Sequence, residues 1–390
     1  MAHTSQENDQ KRLTVLLTGS TGSLGTYILD ALFDNPHVSK VVCLNRSADA
    51  RHRQEAALHS RGLKTLSGFN VQFLHAELSQ KYLGLDLPDY DALLSSVTTV
   101  LHNGWPVDFN RSFSSFQPAV DGVLNLVKFA HACHNTCSIF FISSVGVVQE
   151  WPKLSADGTP VPEETLNDWR LAQEGYGQSK MVAERILAEA TKVSAIHASI
   201  CRVAQVAGPV LRGEQGSWNE REWFPTLVST SQKLKMLPSS LGYMESLDWV
   251  PVDLLAKIVV EQLASSESST SEASKGITTV YHIANPRHAP WASVLPVVQK
   301  HLGAGVSVVP PEEWLRALAD KVNSPEAASI PGTKLLEFYR GIGTSKEVAP
   351  VLDTTQSQKA SPTLAAVTAV QPDWMDLWMR QWKANGFIAA

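Results

Sequence analysis

Three side chains in this sequence have the types and spacing to polarise a carbonyl. Tyr176 and Lys180 form a Tyr-x-x-x-Lys pair in Gly175-Tyr-Gly-Gln-Ser-Lys180. At i and i+4 they share one face of a helix. A free phenol is too weak an acid to work well near neutral pH. An ammonium group alongside stabilises the phenolate and lowers that barrier. Upstream, the apolar run Ser138-Ile-Phe-Phe-Ile142 ends in Ser143-Ser144. A serine hydroxyl there can hold a carbonyl oxygen beside the phenol and stabilise the charge that grows as hydride arrives. Alternation along a strand sends Ser143 and Ser144 to opposite faces, so the choice between them is one of register.

Hydride needs a donor, and the N-terminal stretch Thr14-Val-Leu-Leu-Thr-Gly-Ser-Thr-Gly-Ser-Leu-Gly25 has the pattern of a dinucleotide site. A β-branched, apolar run reads as a buried strand, and Tyr27 to Phe33 carries apolar residues at helical spacing. Between them, Gly19 allows a tight turn, Gly22 admits a pyrophosphate close to the backbone, and Gly25 lets the helix pack closely. Thr21, Ser23 and Leu24 complete the cofactor-lining turn. The helix start offers free N–H groups and a positive dipole end to phosphate.

The second strand, Lys40 to Leu44, ends in Asn45-Arg46. A site for NAD has an acid roughly 20 residues past the glycine turn, to hold the ribose hydroxyl. Here Arg46 takes its place, and a guanidinium suits a 2′-phosphate. The expected cofactor is therefore NADPH. Arg53 is either a second phosphate contact or an exposed helix charge. After a third strand, Val71 to His75, Glu77-Leu78 can face the adenine. A fourth strand, Thr98 to Leu101, leads into His102-Asn103-Gly104. Ser112 to His134 reads as one long helix, Tyr176 to Thr191 as another, and Ile196 to Cys201 as a sixth strand, with Val203 and Val206 lining the cofactor beyond it. Strands alternating with helices predict an α/β fold, a Rossmann-type doubly wound parallel sheet. Helices are expected at Leu254 to Leu263, Pro290 to Leu302 and Pro311 to Lys321, with a last strand at Val280 to Ile283. Ser265 to Gly276 reads as a mobile acidic, serine-rich loop, and Lys346 to Pro362 as irregular. Trp374, Trp378 and Trp382 lie on one helix face. Such a stripe reads first as core, with a substrate channel as the alternative.

The chain has 390 residues and a net charge of −5, without a long basic run, so nucleic acid is not an expected partner. No apolar stretch is long enough for a membrane span, and Met1 to Lys11 is polar, without a signal core. The reading is a cytoplasmic protein with a frayed tail over residues 1–11. Four cysteines do not make a disulfide scaffold. His131, Cys133, His134 and Cys137 cluster, but no second ligand pair follows at zinc spacing, and no metal is expected.

Beyond the GxxGxxG turn, several segments carry a resemblance. These are His102-Asn-Gly-Trp-Pro-Val-Asp-Phe109, Phe141-Ile-Ser-Ser144, Ala183-Glu184, Arg202-Val-Ala-Gln-Val-Ala-Gly-Pro209, Gly216-Ser-Trp-Asn219, Glu222-Trp-Phe-Pro225 and Asp248-Trp-Val-Pro-Val-Asp253. Together they resemble the extended short-chain dehydrogenase/reductases, and within them the thioester reductase domains of nonribosomal peptide synthetases, polyketide synthases and carboxylic acid reductases, most like the fungal branch. The resemblance implies a Rossmann domain over residues 12–204, with returning segments at about 248–264 and 277–285. It also implies a smaller, mainly helical substrate domain over 205–247 and 286–390. It assigns the catalytic positions to Ser144, Tyr176 and Lys180, brings Asn103 and Gly104 to the nicotinamide ribose, and brings Gly208 and Pro209 near its carboxamide. The implied substrate is an acyl group on the phosphopantetheine arm of a carrier protein, reduced to an aldehyde or further to an alcohol. No adenylation or carrier domain precedes the motifs in these residues, so the expectation is an excised terminal domain or an enzyme acting in trans. Rival readings are another extended carbonyl or acyl-CoA reductase, a non-redox Dieckmann-type release domain, and a cofactor-binding scaffold without turnover.

Overall fold

The computed structural model describes residues 12–155, 158–194, 196–268, 276–344 and 348–389. Seven strands form one parallel sheet. They are β1 (Leu13–Thr18), β2 (Val38–Asn45), β3 (Val71–His75), β4 (Thr99–His102), β5 (Ser138–Ser144), β6 (His197–Val203) and β7 (Thr279–Ile283), in the order β7-β6-β5-β4-β1-β2-β3. The order reverses between β1 and β4, which opens a crevice at the carboxyl ends of the strands. One row of the ladder runs Leu44, Thr18, His102, Phe141 and Ile200. The residues just beyond that row therefore emerge together along one edge.

Helices cover both faces, so the central strands are apolar on both sides. Val15 and Leu17 pack into a core with α1 (Ser23–Leu32), while Leu16 turns to the opposite core. That second core holds α3 (Leu87–Ser96), α4 (Gln117–Ala132) and α5 (Gly175–Val193); α2 (Ala50–Ser60) flanks β2 and β3. The long helix expected from Ser112 starts later. Phe113–Phe116 is a 3-10 turn, and α4 begins at Gln117 with Pro118 in its first turn, where a missing N–H costs nothing.

A third core gathers α6 (Trp223–Leu234), α8 (Leu295–Leu302), α9 (Pro311–Val322), α10 (Leu336–Thr344) and α13 (Pro372–Ala384). Trp218, Trp249, Trp291, Trp314, Trp378 and Trp382 are fully buried in it. The indole N–H groups of all but Trp249 have acceptors among the described residues. Trp378 donates to the Pro209 carbonyl at 3.2 Å, Trp218 to Glu222 at 2.8 Å and Trp314 to Ser231 at 3.0 Å. Each ring buries on the order of 200 Å². Trp378 and Trp382 are thus core, and the channel alternative fails for them; Trp374 is half-buried.

Three other expectations change. Helix α7 (Val252–Ser268) continues through the start of the predicted serine-rich loop, because Glu267 accepts hydrogen bonds from Thr99 and Ser138 on the sheet. Residues 269–275 of that loop, and the predicted tail at 1–11, lie outside the described residues. The stretch read as irregular contains α11 (Thr355–Ala360), followed by α12 (Pro362–Ala366). The amide N–H groups of Gln356 and Ser357 both reach the Glu163 carboxylate, which stands in for a local cap. Finally, α8 begins only at Leu295, since Ala289–Pro290 pairs with Ser246–Leu247 as a short antiparallel ribbon. No helix among the described residues is long and apolar enough to cross a membrane.

Candidate active site

The glycine turn and the end of β4 are built against each other. Gly19 has φ +70°, and a Cβ there would come within 2.7 Å of the Gly104 Cα. Asn103 donates its amide to the Gly19 carbonyl at 3.2 Å, and the Gly104 N–H donates to Thr18 Oγ1 at 2.9 Å. A Cβ on Gly25 would sit 2.0 Å from the Gly19 carbonyl oxygen, so its smallness serves the turn's own closure rather than the strand. Helix α1 opens at Ser23 with Gly22 as its N-cap, without a side-chain cap bond and without an acid in the first turn. Thr21 and Leu24 are half-buried, while Gly22 and Ser23 are exposed. The N-terminal N–H groups therefore face outward at the crevice, ready for an anion.

Next to this turn, Asn45 accepts from Ser20 Oγ at 3.2 Å, and its buried Nδ2 has no partner among the described residues. The buried His102 Nε2 is likewise unpaired, while Nδ1 bonds Thr18 Oγ1 at 2.8 Å. Orphaned polar atoms beside an open glycine cradle fit a polar ligand, and they fit a dinucleotide. Arg46 is exposed at the end of β2 and makes no ion pair among the described residues. Arg53 is exposed on α2. Glu77 accepts from Ser79 at 3.1 Å, and Leu78 packs toward Gly122 of α4. Val203 lies opposite Ser144 in the β5–β6 ladder, and Val206 pairs with Val250.

Register separates the two serines. Ser143 is buried and donates to Glu184 at 2.5 Å. The Ser144 hydroxyl faces the Tyr176 phenol and favours its ionised form, and it accepts the Gly146 N–H at 3.2 Å. Two close approaches fix Tyr176 at the start of α5. A Cβ on Gly175 would meet the Arg111 carbonyl at 2.3 Å, and one on Gly177 would meet the Gly146 carbonyl at 2.4 Å. The helix start is thus wedged between two loops, and no side chain larger than hydrogen fits there.

The electrostatics differ from the sequence expectation. Burial pushes the Tyr176 phenol up to about 12, and the Ser144 hydrogen bond only partly opposes this. Lys180 is engaged by other groups. Its ammonium donates to the Ile142 carbonyl at 2.6 Å and lies 4.4 Å from the Trp105 ring and 4.5 Å from the Phe141 ring. Burial holds Lys180 well below the ordinary lysine value, with Glu184 working against that. Burial, and then the Lys180 charge, push His102 down to about 3, so it is neutral. Tyr176 consequently stays protonated near neutral pH, as a donor.

Several supporting residues carried no assigned role in the sequence. Glu184, one turn beyond Lys180, accepts from Arg202 at 2.8 and 3.1 Å as well as from Ser143. Its i+4 spacing from Lys180 was the available signal. Trp105 donates to Ser179 at 3.2 Å, and Phe109 lies edge-on to Tyr176 at 5.0 Å between ring centroids. Both sit in the segment after β4, whose aromatic content was the only local hint.

The family described as male sterility protein, an NAD-binding group, matches residues 17–259. The chain belongs to this family. Its architecture is that of the short-chain dehydrogenase/reductase oxidoreductases. Over 374 residues it is 38% identical to a carboxylic acid reductase of Neurospora crassa, covering 94% of this chain and 35% of that protein. Over 387 residues it is 32% identical to a non-reducing polyketide synthase of Aspergillus terreus, covering 96% of this chain and 15% of that protein. The chain spans about a third or less of the length of these relatives. In fold it is similar to the terminal R domain of the myxalamid PKS-NRPS pathway, with TM-score 0.80, 24% identity, and 97% and 93% of the two chains covered.

Proposed function

We propose that this chain is an NADPH-dependent reductase that releases an acyl group from the thioester of a carrier protein's phosphopantetheine arm, as an aldehyde and, after a second round, an alcohol. The observation that carries this reading is the pairing of the Ser144 and Tyr176 hydroxyls at the sheet edge that also bears the glycine cradle. The carrier partner and the reductive outcome draw on relatives named as a carboxylic acid reductase and a polyketide synthase. A cytoplasmic location and a division into a Rossmann domain and a C-terminal substrate domain belong to the same reading.

Gly19, Thr21, Gly22, Ser23, Leu24 and Gly25 would hold the pyrophosphate, with Asn103, Gly104 and Lys180 at the nicotinamide ribose. Arg46, with Arg53, would take the 2′-phosphate, Glu77 and Leu78 would border the adenine, and Val203 and Val206 the nicotinamide. Bound there, the reduced nicotinamide would supply hydride to the thioester carbonyl carbon. Ser144 and Tyr176 hold the carbonyl oxygen between their hydroxyls, so developing negative charge meets two preset donors. Tyr176, kept protonated by burial, passes its proton to that oxygen. The resulting hemithioacetal then parts into thiol and aldehyde.

The test is cofactor consumption with a panel of acyl-pantetheine thioesters. Wild-type protein should oxidise NADPH with at least one of them, and Tyr176→Phe should lower turnover by roughly 10²-fold or more while leaving NADPH affinity nearly unchanged. Cyclised release from a carrier without NADPH oxidation would instead support the Dieckmann-type alternative.

A further inference from the structure

The segment between β4 and α4 places apolar side chains in solvent beside the catalytic phenol. Val107 is 68% exposed, Phe109 54% and Phe113 38%. Tyr176, by contrast, is only 8% exposed, with the Phe109 and Phe116 rings against it at 5.0 and 6.1 Å. Phe109 therefore has one edge on the catalytic ring and about half of its surface free. The loop beneath these side chains is firmly built. Arg111 pairs with Asp108 at 3.0 Å, the Asn110 N–H donates to Asp108 at 3.1 Å, and the Arg111 carbonyl abuts Gly175. Trp105 anchors its start to α5 through Ser179. Folding gains nothing from holding three large apolar groups in water, and a group of them at the rim of a polar site is the usual mark of a ligand surface.

We propose that Phe109, with Val107 and Phe113, forms the acyl-recognition lip of this site, taking the apolar chain or ring next to the reacting carbonyl. This rests on the thioester reductase reading and narrows its substrate class to alkyl or aryl acyl groups, over short or charged ones. A carbonyl oxygen held by Ser144 and Tyr176 leaves its substituent at the Tyr176 ring edge, where Phe109 is the adjoining apolar surface. The lip carries one acid and one base, Asp108 and Arg111, already paired with each other, so it offers no free charge to a charged acyl chain.

The experiment compares octanoyl-, benzoyl-, succinyl- and acetyl-pantetheine with the wild-type chain, Phe109→Ala and Phe109→Leu. Wild type should favour octanoyl and benzoyl. Phe109→Ala should cut the octanoyl-to-acetyl ratio of kcat/KM about tenfold, mainly through KM, and Phe109→Leu should restore most of it for octanoyl. An equal fall for all four thioesters would overturn the proposal and leave Phe109 as a cover for Tyr176; so would an unchanged ranking. If wild type oxidises NADPH with none of the four, the reductase reading fails separately. Calorimetric binding of octanoyl-pantetheine still decides the lip in that case: weaker binding to Phe109→Ala supports it, and equal binding overturns it.

Discussion

Glu184→Gln removes a single charge from the interior beneath α5. Glu184 is 5% exposed and Arg202 1%. The carboxylate accepts from Ser143 at 2.5 Å, from Arg202 Nε at 3.1 Å and from Arg202 Nη2 at 2.8 Å. Arg202 also donates to the Glu164 carbonyl at 3.1 Å and faces His282 Nε2 at 3.2 Å. The amide keeps one acceptor oxygen but turns an NH2 toward groups that are themselves donors. The guanidinium is then left buried without its counter-charge. Breaking a buried pair from one side costs about 3–5 kcal/mol, and the retained oxygen puts this variant near about 3 kcal/mol. With an m-value of about 3 kcal/mol/M, the urea midpoint should fall by roughly 1 M. Catalysis should fall too, because Glu184 is the charge that supports protonated Lys180. Replacing both partners with methionine should recover most of the stability, since two apolar groups leave no orphaned charge. A loss below about 1 kcal/mol for Glu184→Gln would refute the reasoning, because it would mean that water or another group already compensates the guanidinium.

Arg46→Ala should weaken NADPH binding by roughly 10- to 100-fold and NADH binding far less, as followed by cofactor fluorescence titration; equal losses would remove Arg46 from the 2′-phosphate. Burial raises Glu222 from its model-peptide value to about 7, against the hydrogen bond from Trp218. Its folded pKa exceeds its unfolded one, so its stabilisation is full below about 4.5 and is lost as pH rises through about 7. Glu222→Gln should therefore gain stability relative to wild type between pH 5 and pH 8 in denaturant titrations, and a gain in the opposite direction would contradict the assignment. Trp378→Ala should cost about 3–5 kcal/mol by opening a cavity against Trp218 and removing one of two donors to the Pro209 carbonyl. A thermal midpoint close to wild type would return that helix to a peripheral role.

The parallel sheet was legible because its strands are short apolar runs bounded by glycine and polar residues; Val71–His75 begins and ends where the pattern does. The Ser144, Tyr176 and Lys180 candidates stood out because i, i+4 spacing on a helix behind a strand ending in serines is a local signal. What stayed hidden depends on partners far away in sequence. The i+4 spacing from Lys180 marks Glu184, but nothing local pairs it with Arg202, 18 residues on. Helix α11 looked irregular because its free N–H groups are satisfied by Glu163, nearly half the chain away. The serine-rich end of α7 followed loop propensity on paper, but Glu267 ties it to Thr99 and Ser138. The surroundings of Tyr176 and Lys180 stayed hidden for a related reason. Spacing put both on one helix face, but the Ile142 carbonyl and two aromatic rings claim the ammonium.

Label transfer tests the central claim most directly. Wild-type protein is given an acyl-pantetheine thioester and NADPH deuterated at the transferring position of the nicotinamide, and the released product is analysed by mass spectrometry. The account predicts an aldehyde or alcohol with deuterium on the former carbonyl carbon, and none with Tyr176→Phe. A product released as free acid or as a ring, without deuterium, would contradict it.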